Sequence, residues 1–154
     1  GAHLGIKKED AESHALTCTP DLYHVDPCYV EVKFDSRTPV MATKENCQDA
    51  AEKTAHAHGF DFETPGMIPP HRVAADSEFV QKLLRAYEQV TGLKGEAMAI
   101  GGGTYVHDIK NGVAFGAVLP GIDTHMHGAD EFFDLENIVL ATKVYAEAII
   151  ELCS

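Results

Sequence analysis

The residues best suited to chemistry lie in one stretch, Gly101 to Phe132, which reads GGGTYVHDIKNGVAFGAVLPGIDTHMHGADEF. Its three opening glycines allow the backbone to approach a ligand closely and to point N–H groups at an anion. Thr104 follows them and would be the polar side chain nearest to a bound carboxylate. The triplet belongs to neither a Gly-x-Gly-x-x-Gly dinucleotide fingerprint nor a Gly-Lys-Ser/Thr phosphate loop. A simple bend without a bound ligand is therefore the alternative interpretation.

Two histidines, His125 and His127, flank a methionine in the same stretch and precede Asp130 and Glu131. A metal-ligand histidine needs a neutral ring nitrogen facing the ion and a partner for its other nitrogen, which a nearby acid can supply. The pair has neither the helical His-x-x-x-His spacing nor a cysteine neighbour, so it is not in itself a zinc signature. A solvated loop is the alternative.

Arg37 lies in the segment FDSRTP, directly after the most regular strand pattern of the chain. An arginine fixed at a strand end is well suited to hold a carboxylate bidentately. The alternative is an ion pair with Asp35 on the same face of the strand. His107 and Asp108 fall in a predicted turn between two strands, where exposure is the default for both.

Composition narrows the class of protein. The 154 residues suit one domain or two small ones, and 12 Lys+Arg against 24 Asp+Glu give a net charge of −12. Such a chain is a poor partner for nucleic acid or an anionic membrane surface. No apolar run approaches the ~20 residues of a membrane helix, and nothing reads as a signal peptide. The four cysteines form no Cys-x-x-Cys pair, which favours thiols in a reducing cytoplasm.

Hydrophobic periodicity predicts a strand, strand, helix, strand order for the first 64 residues. Residues 28–34 alternate as a half-buried strand, and residues 14–25 are a looser strand that completes an antiparallel hairpin. Thr43 is the predicted N-cap of a helix that Gly59 ends, and FDFET (residues 60–64) follows as a short strand. This order matches the last four elements of a β-α-β-β-α-β sandwich, so we expect the later part of a longer chain.

The proline-rich residues 64–72, TPGMIPPHR, are the best boundary signal in the sequence. The elements predicted beyond it are a helix capped by Asp76 or Ser77, the short strands EAMAI and GVAFGAV, and an apolar helix capped by Asp134. Together with the first half, these elements predict a chain of the α+β / α/β class.

Five segments, taken in order, resemble the C-terminal part of the PepV-type dipeptidases: FDSRTP, DSEFVQKLLRAYEQVTG, AIGGGTYVHDIKNGVAFG, PGIDTHMHGADE and ENIVLATKVYAEAIIEL. These enzymes belong to a co-catalytic metallopeptidase family that also holds carnosinases, aminoacylases and succinyl-diaminopimelate desuccinylase. The resemblance runs from about Asp35 to Leu152. It implies the second half of a ferredoxin-like lid (β-β-α-β) in residues 1–65 and the C-terminal portion of the metal-dependent catalytic domain in residues 66–154.

The resemblance also implies a substrate site for short peptides. Arg37 matches the lid arginine that grips the substrate's C-terminal carboxylate. Gly102, Gly103 and Thr104 match the glycine-rich strand end that lines the pocket. His107 is added as a substrate-binding candidate because it follows the glycines where many relatives carry an arginine, and this departure leaves its role open.

A metal role is implied for His127, which matches the ligand histidine of a His-x-x-x-Glu pattern with Glu131 as its supporting acid. In that family two divalent ions, Zn or Mn, activate the attacking water. The other ligand motifs and the general base are expected upstream, so no catalytic residue is assigned in this chain. We therefore expect the isolated chain to be inactive, and to associate with the missing N-terminal portion of the enzyme or with itself.

Two readings from other classes remain open. One is a non-catalytic binding or dimerisation module that retains the lid fold. The other is a small stand-alone metal-binding protein that uses His125, His127, Asp130 and Glu131.

Overall fold

The computed structural model describes residues 1–116 and 118–154, which form two compact units. The first unit contains Gly1–Arg72 and Ala99–Gly103, and the second contains Val73–Met98 and Thr104–Ser154. The glycine triplet therefore belongs to the first unit, whereas the residue that follows it belongs to the second. The division into a lid and a catalytic portion near residue 65 refers to a whole enzyme and stays a prediction.

A long antiparallel hairpin is the main sheet of the first unit. Its strands are β3 (Thr17–Val25) and β4 (Val30–Arg37), and they follow a very short pair, β1 (Glu9–Asp10) and β2 (His14–Ala15), that the sequence did not indicate. The register of the long pair runs from Val25 opposite Val30 to Thr17 opposite Arg37. The predicted hairpin is thus confirmed, with the second strand extending as far as Arg37.

One side of the hairpin, here called the apolar face, carries Tyr23, Val25, Val30, Val32 and Phe34. Residues directly opposite each other in an antiparallel pair share a face, and the register pairs Tyr23 with Val32 and Val25 with Val30. Tyr23 is 65% exposed, Val25 is 70% exposed and Phe34 is 48% exposed. The alternation of apolar and polar residues predicted that this face would be buried. That prediction was wrong, because the face is largely exposed.

The helix predicted after Thr43 is present. It begins with a π-helical turn, Lys44–Gln48, and continues as α1, Asp49–Ala57. The Thr43 hydroxyl accepts the N–H of Asn46 at 3.2 Å, and the Asn46 side chain accepts the N–H of Thr43 at 2.9 Å. This reciprocal pair satisfies two helix-end donors and confirms Thr43 as the cap.

The other end of α1 is closed by a glycine, as predicted. Gly59 adopts a φ of +81°, a conformation that side chains rarely tolerate. The N–H of Phe60 donates to the carbonyl of Ala55 at 3.1 Å, and that of Gly59 donates to the carbonyl of His56 at 3.0 Å. These two bonds form a Schellman motif, which satisfies carbonyls that the helix leaves open.

The core of the first unit forms where α1 meets the N-terminal segment. Its buried residues are Ile6, Ala42, Cys47 and Ala51. Burial raises the pKa of the Cys47 thiol, so this cysteine is neutral at physiological pH. Four residues of modest size make a small core, which accords with the exposure of the hairpin.

Three segments predicted as strands are irregular instead. These are residues 60–64, residues 96–100 and the described part of GVAFGAV, whose residue 117 lies outside the described residues. A strand persists only when a neighbour completes its hydrogen-bond ladder. Within residues 1–116 and 118–154 the only strand pairings are β1 with β2 and β3 with β4. Those three predictions were wrong for that reason.

The second unit is built on two helices that the sequence predicted, α2 (Glu78–Thr91) and α3 (Leu135–Cys153). The Ser77 hydroxyl caps α2, and Gly92 ends it at a φ of +68°. The Asp134 carboxylate caps α3 by accepting the N–H of Asn137 at 2.8 Å. Neither these helices nor any other in the described part of the chain is long and apolar enough to cross a membrane.

The helices α2 and α3 pack together through Leu83, Ala86 and Ala148. The irregular segment that includes Phe115 lies against this contact, and the Tyr145 hydroxyl of α3 donates to the Phe115 carbonyl at 3.2 Å. The described part of the segment predicted as a strand buried on both faces thus packs against both helices and is hydrogen-bonded to α3, in place of pairing with neighbouring strands.

The exposed apolar face of the hairpin predicts that the isolated chain self-associates, because water-exposed apolar patches drive association. We expect gel filtration with light scattering to show a mass that rises with protein concentration. The double variant Val25→Thr/Val30→Thr keeps β-branched residues in the strands but reduces their apolar surface, and should shift the chain toward monomer. Glu31→Thr, on the opposite face of β4, is the matched control. A wild-type chain that stays monomeric at every concentration would contradict this expectation.

Candidate functional site

Arg37 lies at the end of β4, and the chain directly after it is held firmly. Pro39 is fully buried. The N–H of the next residue, Val40, donates to the Ser13 hydroxyl at 2.7 Å across 27 positions of sequence. These contacts fix the backbone within three residues of Arg37.

The anchor for this segment is the carboxylate of Asp10. It accepts the backbone N–H of Ser13 at 2.6 Å, the Ser13 hydroxyl at 2.8 Å and the N–H of Met41 at 3.4 Å. The hydrogen bonds from Ser13, its backbone N–H first, hold the pKa of Asp10 below its usual value. The ionised carboxylate therefore ties the N-terminal turn to the chain that leaves β4.

The side chain of Arg37 belongs to the other side of the hairpin, here called the polar face, with Glu31, Lys33 and Asp35. Its Nη2 lies 2.8 Å from Oδ2 of Asp35, and the two side chains are 49% and 46% exposed. The ion pair offered as the alternative interpretation is therefore present. It uses one guanidinium nitrogen, and the remaining donors of Arg37 make no other hydrogen bond to described residues, so a further acceptor can still bind.

The glycine triplet lies beside Arg37 in the first unit. A Cβ added to Gly101 would be 3.6 Å from Cβ and 3.7 Å from Cγ of Arg37, which is ordinary van der Waals contact. A Cβ on Gly102 or Gly103 would meet no described atom within 4 Å, and none of the three glycines has a positive φ. The structure thus brings the start of the triplet to the stem of Arg37, at a place where neither backbone strain nor crowding demands glycine.

Thr104 and His107 lie in the second unit and contact each other. Residues Tyr105–Asp108 form a short 3₁₀ helix. The N–H of His107 donates to the Thr104 carbonyl at 3.2 Å, and the N–H of Thr104 lies 3.4 Å from Nδ1 of His107. The His107 ring is therefore folded back on the first residue of its own turn.

Residues 124–132, here called the histidine loop, are closed on themselves within the second unit. The N–H of Phe132 donates to the carbonyl of Thr124 at 3.1 Å, and Thr124 is only 8% exposed. The His125 and Phe132 rings meet edge to face, with centroids 5.7 Å apart. The His125 N–H donates to the Asp123 carboxylate at 2.9 Å. His125 is thus a structural member of this loop.

The histidine loop concentrates backbone strain. His125, His127 and Asp130 adopt φ values of +56°, +63° and +56°. Each such non-glycine residue costs about 1–3 kcal/mol, and such residues cluster at functional sites. The N–H of Gly128 donates to the His125 carbonyl at 2.7 Å, and a Cβ on Gly128 would lie only 2.9 Å from that oxygen. The turn that presents His127 therefore requires glycine at position 128.

His127 and Glu131 are both exposed, and neither side chain forms a hydrogen bond or ion pair with another described residue. Both ring nitrogens of His127 are therefore available to an ion. No group of three or more His, Cys, Asp or Glu residues is arranged to hold a metal in the part of the chain that the structure describes. The described residues around His127 thus offer an ion one free imidazole and no second clustered ligand.

The sequence reasoning missed three residues that shape this region, Asp10, Ser13 and Gly128. The Asp-x-x-Ser spacing is typical of a local side-chain-to-backbone motif and could have indicated the first two. Nothing in the sequence indicated that they bond to a segment 27 or more positions away. A glycine directly after a candidate ligand was a signal for a tight turn.

Gly128→Ala should disrupt the histidine loop, because its new Cβ would lie 2.9 Å from the His125 carbonyl oxygen. We expect a loss of about 1–3 kcal/mol in loop stability, measured as faster hydrogen exchange of the Phe132 N–H by NMR. Gly116→Ala is the matched control, since its Cβ would meet no described atom within 4 Å. Equal exchange rates in the two variants would show that Gly128 is not required.

Comparison with known proteins agrees with these features. The model of peptidase family M20/M25/M40 matches residues 3–151. YtjP of Bacillus subtilis (strain 168), which carries the provisional name of a dipeptidase, is 34% identical over 153 residues, covering 99% of this chain and 32% of YtjP. A protein of Staphylococcus haemolyticus (strain JCSC1435) with the same kind of name is 42% identical over 101 residues, covering 66% of this chain and 22% of the relative.

A third relative with such a name, from Staphylococcus aureus (strain USA300), is 37% identical over 109 residues. The match covers 71% of this chain and 23% of the relative's length. The chain thus spans a third or less of the length of these relatives. The family match, in contrast, extends over nearly all of this chain. The chain belongs to peptidase family M20/M25/M40.

Proposed function

We propose that this chain supplies substrate-binding residues and one metal ligand to a metal-dependent dipeptidase of the PepV type. The observation that carries the proposal is the placement of Arg37, fixed at a strand end beside a glycine segment and with guanidinium donors to spare. The dipeptidase names of the relatives support the same class of reaction. Because the chain covers a third or less of those relatives, the proposed activity is that of the whole protein.

In this proposal Arg37 binds the C-terminal carboxylate of a short peptide. A planar guanidinium matches a carboxylate with two parallel hydrogen bonds, which selects peptides that end at this point. The backbone N–H groups of Gly102 and Gly103 would line the path of this peptide. Thr104 and His107 are assigned to substrate binding by the resemblance alone, His107 at the position where many PepV-type enzymes carry an arginine.

The metal ligand in this proposal is His127, with Glu131 as its supporting acid. Imidazole suits Zn, whereas carboxylate oxygens suit Mn, and the His127 ring has no competing partner among the described residues. The chemistry that two such ions would supply in the whole enzyme is activation of water, whose pKa falls toward ~7. The contribution of this chain is to present one imidazole from a loop whose backbone is locked by Gly128 and by the closure of Thr124 on Phe132.

The remaining parts of the proposal concern the whole enzyme. The general base and the other metal ligands are assigned to the portion of the enzyme that this chain does not cover, so the chain alone is inactive. Its partners are the short peptide substrate and that other portion, or a second copy of the chain. The setting is a reducing cytoplasm, which suits four free thiols, one of them buried.

The role of Arg37 is tested with alanyl-alanine and its C-terminal amide, titrated into the ¹⁵N-labelled chain while the backbone N–H signals of residue 37 and of Gly101 are followed by NMR. The free acid should bind about tenfold more tightly than the amide, because a charge-assisted hydrogen bond is worth roughly 1.5–3 kcal/mol and exposure reduces this value. Arg37→Met should abolish the difference. The assignment fails if the acid and the amide bind the wild-type chain equally well.

Gly102→Ala is the companion variant in that titration. It introduces a Cβ into open space at a residue without positive φ, so folding should be unchanged. Weaker binding of the dipeptide by a normally folded Gly102→Ala chain would support a close approach of substrate to the backbone.

Calorimetry with ZnCl₂ and with MnCl₂ separates the proposal from a stand-alone metal-binding protein. One available imidazole should give only weak, non-stoichiometric heat, since stable Zn sites use three or four protein ligands. His127→Ala serves as the baseline. Stoichiometric uptake by the wild-type chain that is lost in both His125→Ala and His127→Ala would favour the stand-alone alternative instead.

A further inference from the structure

The polar face of the hairpin already carries a carboxylate on Arg37. Oδ2 of Asp35 lies 2.8 Å from Nη2 of Arg37, two residues away along the same strand. From this juxtaposition we propose that Asp35 is an internal competitor for the Arg37 guanidinium, so that a ligand carboxylate must displace it or share Arg37 with it. Asp35 thereby lowers the affinity of the carboxylate site, so that a ligand held by Arg37 alone binds weakly. This inference rests on the proposed function of Arg37.

The geometry of the pair permits exchange. The contact uses one nitrogen of the guanidinium, so it lacks the two parallel bonds that make arginine–carboxylate pairs strong. Both side chains are about half exposed, so water can solvate Asp35 when it leaves. Half-exposed pairs of this kind contribute little stability, and their loss therefore costs little.

The position of Asp35 nevertheless gives it an advantage over small anions. It is attached to the same strand as Arg37, so its effective concentration at the guanidinium is far above that of a dissolved ligand. A monocarboxylate that can contact only the guanidinium competes poorly. A peptide that also contacts the neighbouring glycine segment gains a second point of attachment and can overcome the competition.

Electrostatics acts in the same direction. The charge of Asp35 cancels most of the attraction that Arg37 would exert on an approaching anion, because the two opposite charges lie within one hydrogen-bond distance. Removing the charge of Asp35 should therefore raise the affinity of Arg37 for any carboxylate. If Asp35 only positioned Arg37, the opposite result would be expected. Loss of Asp35 would then leave the guanidinium without a fixed orientation, and its affinity for a carboxylate would fall.

The same face offers a matched control. Glu31 pairs with Lys33 at 3.6 Å, again two residues apart on β4. Glu31→Gln changes the net charge of the chain by the same amount as Asp35→Asn, but it leaves the Arg37 pair intact. Any effect confined to Asp35→Asn is then due to the pair and not to the overall charge.

The experiment titrates acetate and alanyl-alanine separately into the ¹⁵N-labelled wild-type chain and its variants, with the backbone N–H signals of residue 37 and of Gly101 as the readout. Asp35→Asn should bind both probes about two- to fivefold more tightly, the range that exposed ion pairs contribute. Glu31→Gln should match the wild type. Asp35→Asn combined with Arg37→Met should lose the gain, which locates the effect at the guanidinium. Circular dichroism checks folding, and Asp35→Ser is the second variant should the first fold poorly.

The outcomes separate this inference from the function on which it rests. Tighter binding in Asp35→Asn alone supports internal competition. Affinity that depends on Arg37 but is unchanged or weaker in both Asp35 variants overturns the competition and leaves the carboxylate site standing. The absence of any Arg37-dependent response in every variant removes the carboxylate site and the competition together.

Discussion

The hydrogen bonds of Asp10 and Ser13 to the chain that leaves β4 are the constraint on which the proposed substrate site depends. A guanidinium recognises a carboxylate by geometry only when its own backbone is fixed. The buried Pro39 and the 2.7 Å bond from Val40 to Ser13 provide that fixation within three residues of Arg37. The N-terminal turn therefore shapes a site to which it contributes no ligand-binding residue.

The elements that the sequence predicted correctly are those with local signals. Thr43, Gly59 and Asp134 are cap residues whose chemistry acts within one helical turn, and each closes a helix as expected. The hairpin is also local, because its strands are joined by a tight turn. The three short strands failed because a strand is defined by its neighbour, and alternation or apolar character within five to seven residues says nothing about whether a neighbour is present.

The candidate site was predictable in its residue types but not in its geometry. Arg37 and the triplet could be singled out from spacing, yet their contact through Gly101 depends on the fold of the first unit. The left-handed backbone at His125 and His127 could not be placed from the sequence either, because histidine adopts this conformation more often than most residues but the closure of the loop decides where it does so. Resemblance indicated which imidazole to consider, and the structure shows that its neighbour His125 has a different task, packing on Phe132.

The charge distribution explains why the proposed recognition of a carboxylate by Arg37 would depend on short-range contacts. The chain carries a net charge of −12, so an anionic peptide is repelled rather than steered at long range. On the polar face each cation is also paired with an acid, Lys33 with Glu31 and Arg37 with Asp35, which leaves little local field. Salt screens what remains beyond about 8–10 Å. In the proposed site a carboxylate would therefore gain from Arg37 only after it had reached the guanidinium, and contacts with the neighbouring backbone would have to bring it there.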